Sequence, residues 1–238
     1  MGCDPKDAAA AGAIKVASDI ISSSSLIGVG TGTTVNRFIE LSGGMLKGKR
    51  VLSSSLSTAL KLIDMGVDVV MYPSGGLLPE VYIDGADEVS KDGSMIKGRG
   101  GALLGEKVLA YASRTNIFIV GEDKLVDVLG SRGPLPIEVV PEAYPYVIRS
   151  LEAMGIKARP REGSGKVGPL ISDWRGMIVD LYIGPITSPQ ELDGRLRSVP
   201  GVVETGLFIG LADYIVVGRK DCSYEVIRFR RTAGAPTI

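Results

Sequence analysis

The sequence contains no histidine among its 238 residues. Any proton transfer near neutral pH must then be run by a carboxylate, lysine, tyrosine or cysteine. A Ser-His-Asp or Cys-His mechanism is excluded outright. Cysteine is almost as scarce: Cys3 and Cys222 stand far apart without metal-ligand spacing, which argues against a disulfide framework and a thiolate zinc site. Neither sign of charge dominates, with Lys+Arg and Asp+Glu at 27 each. Beyond Arg228, Arg230 and Arg231 there is no basic block, so the electrostatic footprint of a nucleic-acid binder is missing. No apolar run approaches the roughly 20 residues that span a bilayer, and the N-terminus lacks a signal peptide's basic region and hydrophobic core. These absences lead us to expect a cytoplasmic protein with neither nucleic acid nor membrane as partner.

What is present is a well-buried, turn-rich composition, 45% hydrophobic with 32 glycines, long enough for one large or two modest domains. The densest chemistry lies in residues 81–107, VYIDGADEVSKDGSMIKGRGGALLGEK. Val81, Tyr82 and Ile83 read as a strand ended by Asp84-Gly85, which places Asp84 and Asp87 at its carboxyl end. Lys97 and the glycines around Arg99 follow. The next helix carries Leu104, Val108, Tyr111 and Ala112 at apolar spacing, with Glu106 near its start and off that stripe.

Taken in order, residues 8–21 read as a helix with Ile14, Ala17 and Ile21 inward, and 26–29 as a buried strand. The strand enters GVGTGTT, residues 28–34, before a helix carrying Val35, Phe38, Ile39 and Leu41. Backbone N–H groups in such a loop can hold an anion. A third dinucleotide-type glycine is replaced by Thr33 and no acid ends the second strand, so a small phosphate suits the loop better than NAD; a Walker lysine is also missing. Strands at 50–53, 67–71, 81–83 and 116–120 alternate with helices, one of them at 58–65 with Leu60, Leu62 and Ile63. This alternation predicts a parallel sheet with helices on both faces. Thr31, Ser53, Asp84 and Lys124 each follow a strand and should converge on one rim.

From residue 131 the pattern becomes β-α-β-β-α-β, with PLISD as a short extra strand, Ser188 as a helix N-cap and VVETGLFI as one strand. The expected fold is α/β, a parallel-sheet domain of residues 1–130 and 210–238 with an inserted ferredoxin-like α+β domain at 131–209. Residues 232–238 read as a frayed tail.

Taken alone, Asp84 and Asp87 would be turn-capping residues, Lys97 a solvated charge and Glu106 a helix N-terminal charge. A calcium loop is excluded, because Ala86 and Val89 occupy a ligand position and the glycine position. Three carboxylates, a lysine and two glycine loops on one rim are costly to keep for stability alone.

Together GVGTGTT, SSSLSTA, YIDGADE, MIKGRGGALLGEK, GEDKLV, PLPIEVVP and GVVETGLF strongly resemble ribose-5-phosphate isomerase of the A type, in the same order across nearly the whole chain. The resemblance implies a Rossmann-like domain with a ferredoxin-like second domain. It implies aldose-ketose isomerisation of D-ribose 5-phosphate and D-ribulose 5-phosphate through an enediolate, in the non-oxidative pentose phosphate pathway, with no cofactor and no metal. Thr31, Gly32, Thr33, Thr34 and Lys124 would hold the sugar phosphate, and Gly85, Ala86, Gly98, Arg99 and Gly100 would line the site. Glu106 would be the base and Lys97 the stabiliser of the enediolate oxygen; Asp84 or Asp87 would move the hydroxyl proton. Arg99 departs from the family's glycine and is expected to point outward. The family implies a homodimer or homotetramer. Two alternatives stay open: a CoA transferase-like enzyme with a glutamate nucleophile, separated by hydroxylamine trapping, and a non-catalytic sugar-phosphate sensor, which would bind without turnover.

Overall fold

The computed structural model of the chain describes residues 4–70, 78–163, 165 and 167–233. In chain order its elements are α1 (Pro5–Ser23), β1 (Leu26–Val29), α2 (Thr33–Leu46), β2 (Arg50–Ser53), α3 (Leu56–Asp64), β3 (Asp68–Val70), β4 (Val81–Asp84), β5 (Glu88–Val89) and β6 (Met95–Ile96). There follow α4 (Leu103–Ala112), β7 (Thr115–Gly121), β8 (Leu135–Val139), α5 (Tyr144–Ala153), β9 (Lys157–Pro160), β10 (Met177–Tyr182), α6 (Pro189–Arg197), β11 (Val202–Thr205), β12 (Leu207–Phe208), β13 (Tyr214–Gly218) and β14 (Tyr224–Arg228).

Two compact units result. The first comprises Met1–Ala86, Gly105–Leu125 and Gly210–Ile238, and the second Asp87–Leu104 and Val126–Ile209. A seven-stranded sheet, β14-β13-β7-β4-β1-β2-β3, organises the first unit, with every neighbouring pair parallel except β13-β14. Its central strands are buried on both faces and read as continuous apolar runs, as parallel strands under helices must. Ala9, Ala13 and Ala17 give α1 a small-residue face that packs in the same core as Ile27, Ile117 and Val216.

The second unit holds an antiparallel sheet, β11-β8-β10-β9, with helices after its first and third strands in the chain, and a small sheet β12-β6-β5. Leu135, Ile137 and Val139 of β8 share a core with Val147 and Leu151 of α5.

Several local expectations need correction. PLISD is not a strand: Pro169 and Ile171 make only isolated bridges, to Glu162 and Met177. VVETGLFI divides at Gly206 into β11 and β12, which belong to different sheets. A Cβ at Gly206 would lie 2.4 Å from the Lys97 carbonyl oxygen, so the crossing needs glycine. Ser188 occupies the N-cap of α6 but its side chain makes no capping hydrogen bond. Leu41, Leu60 and Ile63 are exposed. Cys222 is disulfide-bonded, against the expectation from cysteine spacing that the chain has no disulfide framework. Within the tail, the N–H groups of Thr232 and Ala233 bond the Gly210 carbonyl, while residues 234–238, like residues 71–77 of the expected strand end and loop, lie outside the described residues.

Candidate active site

In the first unit, β1, β2, β4 and β7 are mutually parallel, so Thr31, Ser53, Asp84 and Lys124 stand at strand carboxyl ends along one sheet edge. Such an edge is where open α/β sheets bind ligands. Asp84, the last residue of β4, is fully buried. One of its oxygens accepts from the Thr31 N–H at 3.1 Å and from the Gly85 N–H at 2.7 Å. The other accepts from the Tyr82 hydroxyl. Gly30 allows this approach, since a Cβ there would fall 1.9 Å from the Asp84 carboxylate. Asp84 is thus a brace that fixes the start of the GTGTT loop and not a surface turn cap.

Gly32 is the N-cap of α2 with φ +113° and offers no side-chain cap. The first N–H groups of the helix at Thr33 and Thr34 are left to solvent or to an anion. The serine cluster has a local purpose: Ser55 caps α3 by accepting from the Thr58 N–H at 3.2 Å, and Ser53 donates to the Ser55 carbonyl at 2.8 Å. Lys124 lies in a short 3-10 turn, its ammonium 3.3 Å from Asp123.

Glu106 sits in the first turn of α4 and is buried, as is Lys107. The expected apolar stripe is not the inward face: Tyr111 is exposed, Leu104 and Val108 are only half-buried, and Leu103, Glu106, Lys107 and Ala110 are covered. Burial, then the charges of Asp84 and Glu106, push the Tyr82 hydroxyl well above the ordinary phenol value. Tyr82 therefore stays protonated, a donor within electrostatic reach of both carboxylates.

The second unit contains Asp87, Lys97, Gly98, Arg99 and Gly100. Lys97 directly follows β6 and is buried, its ammonium 5.4 Å from the centroid of the Phe208 ring. Its N–H donates to the Gly206 carbonyl at 2.9 Å. Gly98 has φ +103°, and a Cβ there would meet the Leu103 side chain at 2.8 Å. Asp87 accepts from the Arg99 N–H at 2.9 Å.

The Arg99 guanidinium reaches Glu88 at 3.2 Å, although the residue is exposed overall. Glu88 is fully buried and also accepts from the N–H groups of Gly130 at 2.7 Å and Arg132 at 3.1 Å. Arg161 escaped sequence reasoning: it donates to the carbonyls of both Gly98 and Arg99 at 2.8 Å. No motif marks it, because its partners are 62 and 63 residues away. Among the described residues no group of three His, Cys, Asp or Glu could hold a metal ion.

Residues 50–222 match the sequence profile of ribose 5-phosphate isomerase A (phosphoriboisomerase A). The chain is 50% identical over 228 residues to the ribose-5-phosphate isomerase A of Aeropyrum pernix, covering 95% of this chain and 96% of that one. It is similar to a solved D-ribose-5-phosphate isomerase in complex with phospho-erythronic acid, with TM-score 0.85 and 34% identity over 94% of this chain and 97% of that one. The ribose 5-phosphate isomerase A of Methanocaldococcus jannaschii matches with TM-score 0.86 and 32% identity over 94% and 98% of the two chains.

Proposed function

Because the chain belongs to the ribose 5-phosphate isomerase A family, whose members interconvert ribose 5-phosphate and ribulose 5-phosphate, we propose that Glu106 is the base that carries the proton between C2 and C1. The observation that carries this reading is the burial of Glu106, 4% exposed, in the first turn of α4. Helix packing alone has no use for a carboxylate there.

Glu106 removes the C2 proton of the open-chain aldose and returns it to C1 of the enediolate. Lys97 supplies the positive charge that the developing oxyanion needs, a contribution that usually dominates such catalysis. The Asp84 carboxylate is already engaged by Tyr82, Thr31 and Gly85, so we assign the hydroxyl proton and assistance to ring opening to Asp87. The amides and hydroxyls of residues 31–34, with Lys124, hold the phosphate, and Gly85, Ala86 and residues 98–100 line the sugar.

The test is turnover of ribose 5-phosphate in EDTA. Glu106→Gln should lower kcat by on the order of 10²–10⁴ with a smaller change in KM. Unchanged kcat would remove Glu106 from the role. Wild-type binding without turnover would leave a sensor.

The partner we infer is a second copy of the chain, as homodimer or homotetramer. Supporting it, α3 exposes Leu56, Leu60 and Ile63 by 50%, 54% and 54% at i, i+4 and i+7, a single apolar stripe. Light scattering that returned a monomer would overturn this. We infer a cytoplasmic location, supported by the absence, among the described residues, of any helix long and apolar enough to cross a membrane.

A further inference from the structure

We propose that Arg161 is a positioning residue for the glycine loop after Lys97, acting through two backbone carbonyls, with Asp180 holding its guanidinium in place. The proposal rests on the reading that residues 97–100 contact the substrate.

Arg161 lies one residue past the end of β9, and Asp180 lies on the adjacent strand β10. The guanidinium donates to both oxygens of the Asp180 carboxylate, through Nε at 2.9 Å and through a second nitrogen. This two-point grip fixes the plane of the group, as a lysine could not. The side chains are 16% and 13% exposed, so the pair is shielded and its geometry is held by packing. Its own backbone is pinned as well: the Arg161 N–H donates to the Ile178 carbonyl at 2.9 Å and the Arg161 carbonyl accepts from the Leu170 N–H at 2.7 Å.

The remaining nitrogen points at the loop, donating to the carbonyls of Gly98 and Arg99, both at 2.8 Å. A trans peptide directs its N–H opposite to its C=O. Holding the Gly98 carbonyl therefore turns the Arg99 N–H the other way, and that N–H is found on Asp87 at 2.9 Å. Holding the Arg99 carbonyl does the same to the Gly100 N–H, sending it away from Arg161. Arg161 thus sets two successive amides, one that fixes the Asp87 carboxylate and one that is presented as a donor. With the Lys97 N–H on Gly206 at 2.9 Å, the loop is anchored on both sides of Gly98. Gly98 at φ +103° supplies the backbone turn but nothing that would hold it, since glycine is permissive by itself. Within the loop the Gly101 N–H closes a turn on the Gly98 carbonyl at 3.0 Å, and Arg161 ties that turn to the sheet from outside.

The experiment compares wild type, Arg161→Ala, Arg161→Lys and Lys97→Ala in isomerase kinetics and in calorimetric binding of phospho-erythronic acid, the ligand of the solved relative. Thermal melts establish that each variant is folded at the assay temperature. Displacing the loop by about 1 Å should cost kcat/KM about 10²-fold, most of it in kcat, with affinity for that ligand falling in parallel. Arg161→Lys keeps the charge and so guards against an alanine variant that fails to fold. It should still lose about 10-fold, because one ammonium cannot serve Asp180 and both carbonyls. Millimolar guanidinium should restore part of the activity of Arg161→Ala and leave Lys97→Ala unchanged. Folded Arg161 variants with kcat/KM within about twofold of wild type would overturn the proposal, as would a loss that tracks only the folded fraction. If Lys97→Ala too retains full activity, it is the underlying assignment of the loop to the substrate that fails.

Discussion

Glu138 shows how a single side chain escapes sequence pattern. On β8 it alternates with Ile137 and Val139, as a solvent-facing residue should, yet it is only 1% exposed. Burial raises its carboxyl above the ordinary value of 4.5, and the Ser172 hydroxyl, 2.5 Å away, with the N–H groups of Gly176 and Leu104, pulls back less strongly. A raised folded value means that the folded state holds the proton more tightly than the unfolded chain. The associated stability is present below about pH 4.5 and is lost as pH rises through the folded value. Glu138→Gln, which resembles the protonated form, should match wild type in Tm at about pH 4 and exceed it increasingly toward neutrality, the gap levelling off once the pH has passed the folded value. Calorimetry from about pH 4 to 8 checks this, and a difference independent of pH would refute it. Asp84, Asp87, Lys97 and Glu106 stand out in the sequence as candidates because they fall within 23 residues bounded by turn signals. Glu88, Glu138 and Arg161 do not, because their roles depend on partners brought in by tertiary pairing.

At the scale of elements, α4 was legible as a helix but not in its orientation. Leu104, Val108 and Tyr111 trace an apolar stripe, while the covered face carries Glu106 and Lys107. Local pattern and global fold disagree at the turn that carries Glu106, the kind of mismatch expected where a candidate site lies. The helix is held from its other end. Arg231 donates to the carbonyls of Ala110 and Ser113 at 2.7 Å, satisfying acceptors that a helix C-terminus leaves open, and lies 3.8 Å from Asp213. Asn116 joins the cluster, its amide donating to Ala110 at 2.7 Å and Leu211 at 2.8 Å. Arg231→Ala should destabilise the protein by on the order of 1–3 kcal/mol, since the Arg231 side chain is only 6% exposed and its loss takes a donor from the Ser113 carbonyl, while Asn116 still donates to Ala110 and Asp213. Hydrogen exchange should accelerate in residues 109–113 before the rest of the first unit. Uniform acceleration would mean that the arginine supports the fold generally and not this helix end.

At the scale of the whole molecule, strand and helix alternation revealed the parallel sheet because each βα unit carries its own punctuation; the β-α-β-β-α-β order is seen at β8-α5-β9-β10-α6-β11, but the second unit also takes in Asp87–Leu104, which that order does not mark. A long-range covalent bond has no such local signal. Cys222 sits in the β13-β14 turn, where its N–H bonds the Arg219 carbonyl at 3.2 Å, with φ +71°, a conformation that disfavours a side chain unless something holds it. It is disulfide-bonded, and the sequence offers a bond within the chain only one other cysteine, Cys3, outside the described residues. Such a bond would close a loop of about 220 residues and restrict the unfolded chain by about 5 kcal/mol in the chain-entropy account. For a protein of this size that corresponds to roughly 10–20 °C in Tm. Reduction, or Cys222→Ser, should therefore lower Tm by that order while leaving isomerase activity at about 25 °C within about twofold. Thiol titration under denaturing conditions should find no free thiol before reduction and two after it. Two free thiols in the untreated protein, or a Tm unmoved by reduction, would show that the closed loop does not contribute to the stability of the native chain.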